Sequence, residues 1–482
     1  MKRSIWSKVL FAGAAFALAL PAMSGCKDPE VQGGSGGSDP NKPPPEVTQA
    51  LATARELITK FDAEGWTDAA CAEASTAFRN ASDKNQEIKG EPLWTALYNA
   101  GLSYERCKND AEAKAIFTDI LGKKPEFHRA RVKVALYAFK ESGEKEVDKA
   151  IAEIERAIKD AEYKNEEALV NLGILQMRRR NAVKDDDGDS DMARAKTNLQ
   201  RALAINDGFM PAFNQLAVYY MEKAREQAGR KDSKIASDVG KKKQVSTQAL
   251  DMAALVVSQA MRRNPKYAPV HNTRGLISRE LGDLSGAARS FKSARELDPK
   301  FFEAQMNYAS VNLEFRGFKA AEEGYRAALG LRPQDFEAHL GLALALRGQL
   351  SDPAVNYPVV LAEVDKELEA AKAIDPARAE TYYNQAILTQ EFKARDAGEN
   401  NEAVLLQAKA LFGEFTNKVG KAAEFADAAK RAKERMEEID QIILFAKQSK
   451  EDQKRMAEEQ KQREAQQQLN PDQVPPTEPP PP

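Results

Sequence analysis

Three cysteines, three histidines and one run of aspartates are the residues whose types and spacing could do chemistry here. A cysteine thiol can be acylated, oxidised or bound to a metal. Cys26 follows Met23-Ser24-Gly25 at the end of an apolar stretch, while Cys71 and Cys107 stand in charged, helix-forming surroundings. His128, His271 and His339 lie far apart, and no two have the spacing of metal ligands. The run Asp185-Asp186-Asp187-Gly188-Asp189-Ser190-Asp191 places carboxylates at alternate positions, a pattern that could chelate calcium. A calcium loop of the EF-hand type, however, needs Gly at its sixth place and Glu at its twelfth. Counted from Asp185, those places hold Ser190 and Lys196; counted from Asp187, they hold Met192 and Asn198. The run therefore reads as a solvated acidic loop. No Gly-rich phosphate loop and no nucleophile with its partners is found, so neither a cofactor nor catalysis is expected.

Cys26 acquires a role from what precedes it. Lys2, Arg3 and Lys8 form a positive start, and Val9 to Leu20 is an apolar run of 12 residues followed by small side chains. That is the layout of a secretory signal, residues 1–25. Met23-Ser24-Gly25-Cys26 resembles the bacterial lipobox, in which the cysteine becomes the first residue and carries the lipid. The resemblance implies lipidation at Cys26. Each buried acyl CH₂ contributes about 0.8 kcal/mol, so several chains anchor stably. Lys27 stands where an Asp would imply retention at the inner membrane, so the resemblance implies the periplasmic face of the outer membrane. Residues 26–46, rich in Gly, Ser and Pro, read as a flexible tether. Removing residues 1–25 takes three cations and no acids, which moves the formal net charge from −2 to −5. Without a basic excess, no nucleic-acid partner is expected.

The elements that would position these residues repeat. Pro265, Pro299 and Pro333 are spaced by 34 residues, and each closes a pattern ending Ala-x₄-Pro. Numbering each repeat with its proline at 32, position 8 holds Gly101, Ala135, Gly173, Ala217, Gly275, Ala309, Ala343 and Ala386. Position 20 holds Ala113, Ala150, Ala195, Ala253, Ala287, Ala321 and Val364. Position 24 holds Phe117, Ile154, Leu199, Val257, Phe291, Tyr325 and Leu368. Small residues at 8 and 20 suit a close helix crossing, and position 24 supplies the large apolar plug. This period and ending resemble the tetratricopeptide repeat. The resemblance implies an all-α, right-handed α-solenoid of helix pairs with a protein-binding groove along its first helices.

Residues 93–420 hold seven clear repeats and a degenerate eighth, whose second helix, around 400–418, fits poorly. Residues 47–92 read as capping helices, 421–468 as one long charged helix, and 469–482 as an extended Pro-rich tail. Insertions in four repeats fall near the turn between the paired helices, so they decorate one rim. One carries the Asp run and the next carries Arg230, Lys231, Lys234, Lys241, Lys242 and Lys243. Position 9, in the first helix, reads Leu102, Leu136, Ile174, Val218, Leu276, Ser310, Leu344 and Ile387. Two readings of it stand. It lines an apolar groove for a partner helix or strand, or for the chain's own C-terminal helix; or it packs internally.

Cys71 and Cys107 lie near the start of one helix and the end of the next, which antiparallel stacking brings together. Export would put this even pair in an oxidising compartment. A disulfide needs Cα atoms about 4.4–6.8 Å apart; the alternative is two buried thiols acting as small apolar side chains. In layout, with its lipobox, tether, repeats, charged helix and Pro tail, the chain resembles the tetratricopeptide lipoproteins of the myxobacterial adventurous gliding motility complex. That resemblance implies a scaffold contacting other envelope proteins, with the membrane reached through the lipid alone. An assembly factor for outer-membrane proteins or a pilus secretin is the second reading.

Overall fold

The computed structural model of the 482-residue chain describes residues 43–180, 190–229 and 247–469. Cys26, most of the tether, aspartates 185–189, the basic run 230–243 and the Pro-rich tail from residue 470 lie outside them. All regular structure among the described residues is helical. Two compact units meet in sequence at Leu297 and Asp298. The first contains α1 (Pro45–Glu64), α2 (Asp68–Lys89), α3 (Trp94–Arg106), α4 (Asp110–Lys123), α5 (His128–Ser142), α6 (Val147–Asp160), α7 (Glu166–Arg179), α8 (Asp191–Ile205), α9 (Met210–Gly229), α10 (Thr247–Arg263), α11 (Ala268–Glu280) and α12 (Leu284–Leu297). The second contains α13 (Phe302–Glu314), α14 (Phe318–Leu331), α15 (Phe336–Gln349), α16 (Tyr357–Ile374), α17 (Ala379–Leu388), α18 (Asn401–Val419) and α19 (Ala426–Leu469).

Good helix formers fill these segments, and several starts are marked by caps. The side chains of Thr67, Asn109, Asn165 and Asp335 each accept the backbone N–H three residues on, satisfying a donor that the first turn would leave unpaired. Within each unit successive helices pack on one another. First helices also touch across one face: α7 with α9, α9 with α11, and α13 with α15.

Side-chain size closes each pair. A Cβ added to Gly101 would stand 2.6 Å from Phe117 Cε1, and one added to Gly275 would stand 2.5 Å from Phe291 Cε1. At Gly173 the neighbour is Leu199 Cγ, at 3.2 Å. The large plug of position 24 thus occupies the space that the missing side chain of position 8 leaves. Positions 20 and 27 are wholly buried alanines in most repeats, among them Ala195, Ala253, Ala287, Ala202, Ala260 and Ala294.

The loops between repeats carry a second device. Each repeat proline is the second residue of a turn whose fourth N–H bonds back to the first carbonyl, as in Phe127 to Lys124 or Tyr267 to Asn264. The proline carbonyl is then taken by the fourth residue of the next repeat. Arg131 donates to Pro125 O at 2.5 Å, Gln305 to Pro299 O at 3.0 Å and Tyr382 to Pro376 O at 3.2 Å. His271 and His339 pair through Nε2 with Pro265 O and Pro333 O, at 2.7 and 2.9 Å. Where Glu162 or Asp207 replaces the proline, the fourth residue is Leu169 or Phe213, both buried and without a donor.

The N-terminal pair α1–α2 is fixed to α3 by covalent and polar contacts. A disulfide joins Cys71 to Cys107, with Cα atoms 6.3 Å apart and a sequence separation of 36. Beside it, Arg106 reaches Asp62 at 2.7 Å and lies over the Trp66 ring, whose indole N–H donates to the same carboxylate. At the other end, α18 buries Leu405, Ala408, Phe412 and Phe415, the last two against the Tyr383 ring. The second helix of the eighth repeat therefore packs well. Its mismatch in sequence comes from the π-turn Thr389–Lys393 and short 3₁₀ turns that shift its register. The long helix begins at Ala426, after a 3₁₀ turn at Ala423–Phe425, and not at 421. Its first half buries Ala428, Ala432 and Ile439, while residues 450–465 are exposed all round.

Candidate functional site

The apolar groove expected at position 9 is not an open surface. Ile174 is completely buried, and Leu102, Leu136, Leu344 and Ile387 are between 7% and 9% exposed. Ser310 is buried as well, and only Val218 and Leu276 are half-buried. The reason is that neighbouring first helices touch, so α7 and α15 are buried on nearly every side. For Leu102, Leu136, Ile174, Leu344 and Ile387 the reading as a binding face is corrected to internal packing.

Polar groups are built into the same face. Lys133 of α5, with a side chain 2% exposed, reaches Glu105 of α3 at 2.9 Å and Glu167 of α7 at 3.1 Å. Tyr137 donates to Glu105 at 3.1 Å, and Tyr98 to Glu167 at 3.4 Å. Burial alone would lower the Lys133 pKa, but Glu167, Tyr98 and Glu105 outweigh it and hold the ammonium charged. Burial pushes the Glu105 carboxyl up, against the pull of Lys133. These groups pair with one another across three repeats, so the cluster is a structural tie between repeats.

In the second unit, Arg378 reaches Glu337 at 3.0 Å and Glu380 at 2.8 Å, with its guanidinium 4.2 Å from the Phe336 ring centre. Burial raises the Glu337 carboxyl to about 7 despite Arg378. One repeat earlier, Arg332 repeats the arrangement on Glu303 and Phe302.

A third cluster is less balanced. Arg347 of α15 donates to the side-chain oxygen of Asn384, a neutral amide, at 3.0 Å. Arg435 of α19 binds Gln390 at 2.8 Å and Glu391 at 2.5 Å. Tyr383, next to Asn384 in sequence, is 8% exposed, and its hydroxyl has no hydrogen-bond partner. Leaving such a group unpaired costs about 1–3 kcal/mol. Burial raises the Tyr383 pKa and lowers that of Arg347 to about 10, so both keep their protons at neutral pH.

The metal candidates resolve differently. Asp191 is fully buried and gripped by Arg179 through Nε and Nη2, at 2.8 and 2.7 Å, and by Arg194 at 2.6 Å. The end of the aspartate run is thus an ion-pair anchor for the start of α8, not part of a solvated loop. Among the described residues no three His, Cys, Asp or Glu side chains are grouped as metal ligands. No described helix is long and apolar enough to cross a membrane.

The proline-carbonyl bonds and both arginine clusters escaped the sequence. The first had a visible signal: Arg131, His271, Gln305, His339 and Tyr382 each follow a repeat proline by six residues, and all can donate.

Comparison with known proteins bears on the repeat itself. The tetratricopeptide-repeat family model matches residues 272–335. No curated protein gave a significant match. Among solved structures, the chain is similar to a thermophilic tetratricopeptide protein of Thermus thermophilus, at 23% identity and a TM-score of 0.37 over 46% of this chain and 99% of that one. It is also similar to a tetratricopeptide repeat protein from Parabacteroides merdae ATCC 43184, at 15% identity and a TM-score of 0.34 over 65% of this chain and 98% of that one. The chain carries tetratricopeptide repeats at residues 272–335, within an all-α fold of the tetratricopeptide type.

Proposed function

We propose that this chain is a lipid-anchored scaffold that holds proteins together in a bacterial envelope machine, a gliding motility complex of the kind its layout resembles. Tetratricopeptide repeats act in protein–protein interaction. A stack of such helix pairs offers a partner a long continuous surface and no reactive centre.

The observation that carries the envelope reading is the Cys71–Cys107 disulfide. Structural disulfides persist in oxidising compartments, and the periplasm is one. Together with the signal-like residues 1–25 and the lipobox-like Cys26, it supports a folded part held outside the cytoplasm and tethered by lipid. Residues 450–465 of α19 suit a scaffold, since they are exposed and mostly charged or polar.

The test is crosslinked capture from intact envelopes through an affinity tag on the mature chain. Components of a motility apparatus in the captured set support the proposal. Barrel-insertion or secretin components instead would make the chain an assembly factor. An empty set under conditions that capture a known envelope complex would end the scaffold reading.

A further inference from the structure

At Ile442-Ile443-Leu444-Phe445 the helix α19 is apolar all round, yet its own unit covers that point on one side only. Ala428, Ala432 and Ile439 are buried, and Met436 and Ile443 pack on the core that α17 and α18 supply. Lys409 and Glu402 of α18 bind Asp440 and Lys447 at 2.5 and 2.7 Å along the edge of that seam. Leu444 stands in the row of Asp440 and Lys447. Ile442 and Phe445 stand elsewhere. At 3.6 residues per turn they point about a third of a turn away from Ile439 and Ile443, and they are 43% and 73% exposed. A helix that is apolar on every side belongs in a covered place. Consecutive apolar residues left in water mark an interaction surface. The stripe runs at alternating spacings of four and three through Glu438, Ile442, Phe445, Ser449, Asp452 and Met456, with Glu459 and Arg463 beyond.

We propose that this second stripe is the seam of a homodimer, in which the α19 helices of two copies pair antiparallel about a two-fold axis between residues 443 and 444. Charge decides the direction. Parallel pairing would set Glu438, Asp452, Glu459 and Arg463 each against its own copy, and like charges opposed in a seam are repulsive. Antiparallel pairing sets Ile442 against the partner's Phe445, Ser449 against the partner's Glu438 and Asp452 against the partner's Arg435. Met456 then lies along the aliphatic stem of the partner's Arg431. Each contact occurs twice, as a two-fold axis requires. The flanking positions Gln441, Ala446 and Gln448 carry no charge, so the rims do not repel. Arg435 holds Glu391 at 2.5 Å and Asp452 holds Arg455 at 3.0 Å, so the crossing joins two ion pairs into one network.

The dimer is independent of the scaffold proposal, and its failure would leave envelope capture by the intact chain unaffected. Sedimentation equilibrium of the unlipidated mature chain, with Cys26→Ser, tests it and should find a dimer at micromolar concentration. Phe445→Glu should raise the dissociation constant about thirtyfold or more. Its helical circular dichroism signal should be unchanged, because the Phe445 ring is largely in solvent within its own unit. A chain that stays monomeric would overturn the proposal and leave the stripe to another protein; a dimer that Phe445→Glu leaves intact would overturn it too. Direction is read by mild oxidation of single-cysteine variants. Glu438→Cys and Ser449→Cys chains, mixed, should crosslink to each other and neither to its own copy. A crosslink of Ser449→Cys with its own copy would mean parallel helices and would overturn the antiparallel seam.

Discussion

Lys133 is a charged side chain sunk in a helical core, and it survives there because two carboxylates and two phenols surround it. Removing one partner of such a group leaves the others buried and uncompensated, which typically costs about 3–5 kcal/mol. Lys133→Met should destabilise the first unit by that order, measured by urea denaturation of the variant against the parent. A loss under about 1 kcal/mol would show that Glu105 and Glu167 find water instead. Glu337 makes the opposite kind of statement. Its folded pKa is raised to about 7 from an ordinary 4.5, so the folded state holds the proton more tightly than the unfolded chain. Stability from this group is complete below pH 4.5 and is lost as pH rises to 7, by at most about 3 kcal/mol. Glu337→Gln should be closer to the parent at pH 5 than at pH 8, where the variant should be the more stable. Parallel stability profiles for the two proteins would refute the assignment. Neither residue was legible in the sequence as part of a cluster. Lys133 meets its partners across repeats, at positions that the 34-residue period does not mark as special, whereas Glu337 stands one period after Glu303 and the arginine that each pairs with is set by the loop.

At the scale of the element, the repeat was legible because volume constraints recur at fixed spacing. Gly275 and Phe291 are the clearest pair, since any Cβ at 275 would overlap the ring. Gly275→Ala should cost about 1–3 kcal/mol through overpacking, and a second change, Phe291→Leu, should recover part of it. Thermal melts of the single and double variants decide this, and additive losses would mean that the two side chains do not meet. The groove expected along position 9 is closed for a physical reason. The apolar pattern there shows which residues avoid water but cannot say whether a partner or the neighbouring helix covers them, and here first helices touch and cover them. The proline carbonyls illustrate the reverse case. A donor six residues after each proline is plain in the sequence, yet its meaning depends on a turn that leaves one carbonyl unpaired. Gln305→Ala should lose about 0.5–1.5 kcal/mol in a urea melt through the lost bond to Pro299 O, which lies in an exposed turn.

For the whole molecule, the decisive features lie at the ends. Closing a loop of 36 residues by the Cys71–Cys107 bond should contribute about 3–4 kcal/mol on the chain-entropy estimate. Two free thiols per chain, found by labelling the denatured and unreduced protein, would remove that contribution and the compartment argument with it. The antiparallel relation of consecutive helices made this pairing readable, because start and end of neighbours must meet. The proposed anchor rests on the lipobox resemblance around Cys26, and it is the claim on which the account turns. Cys26→Ala tests it most directly, by fractionation of envelopes from cells that carry the variant. The account expects an uncleaved or mislocalised precursor absent from outer-membrane vesicles, whereas full recovery of the variant with the outer membrane would contradict it.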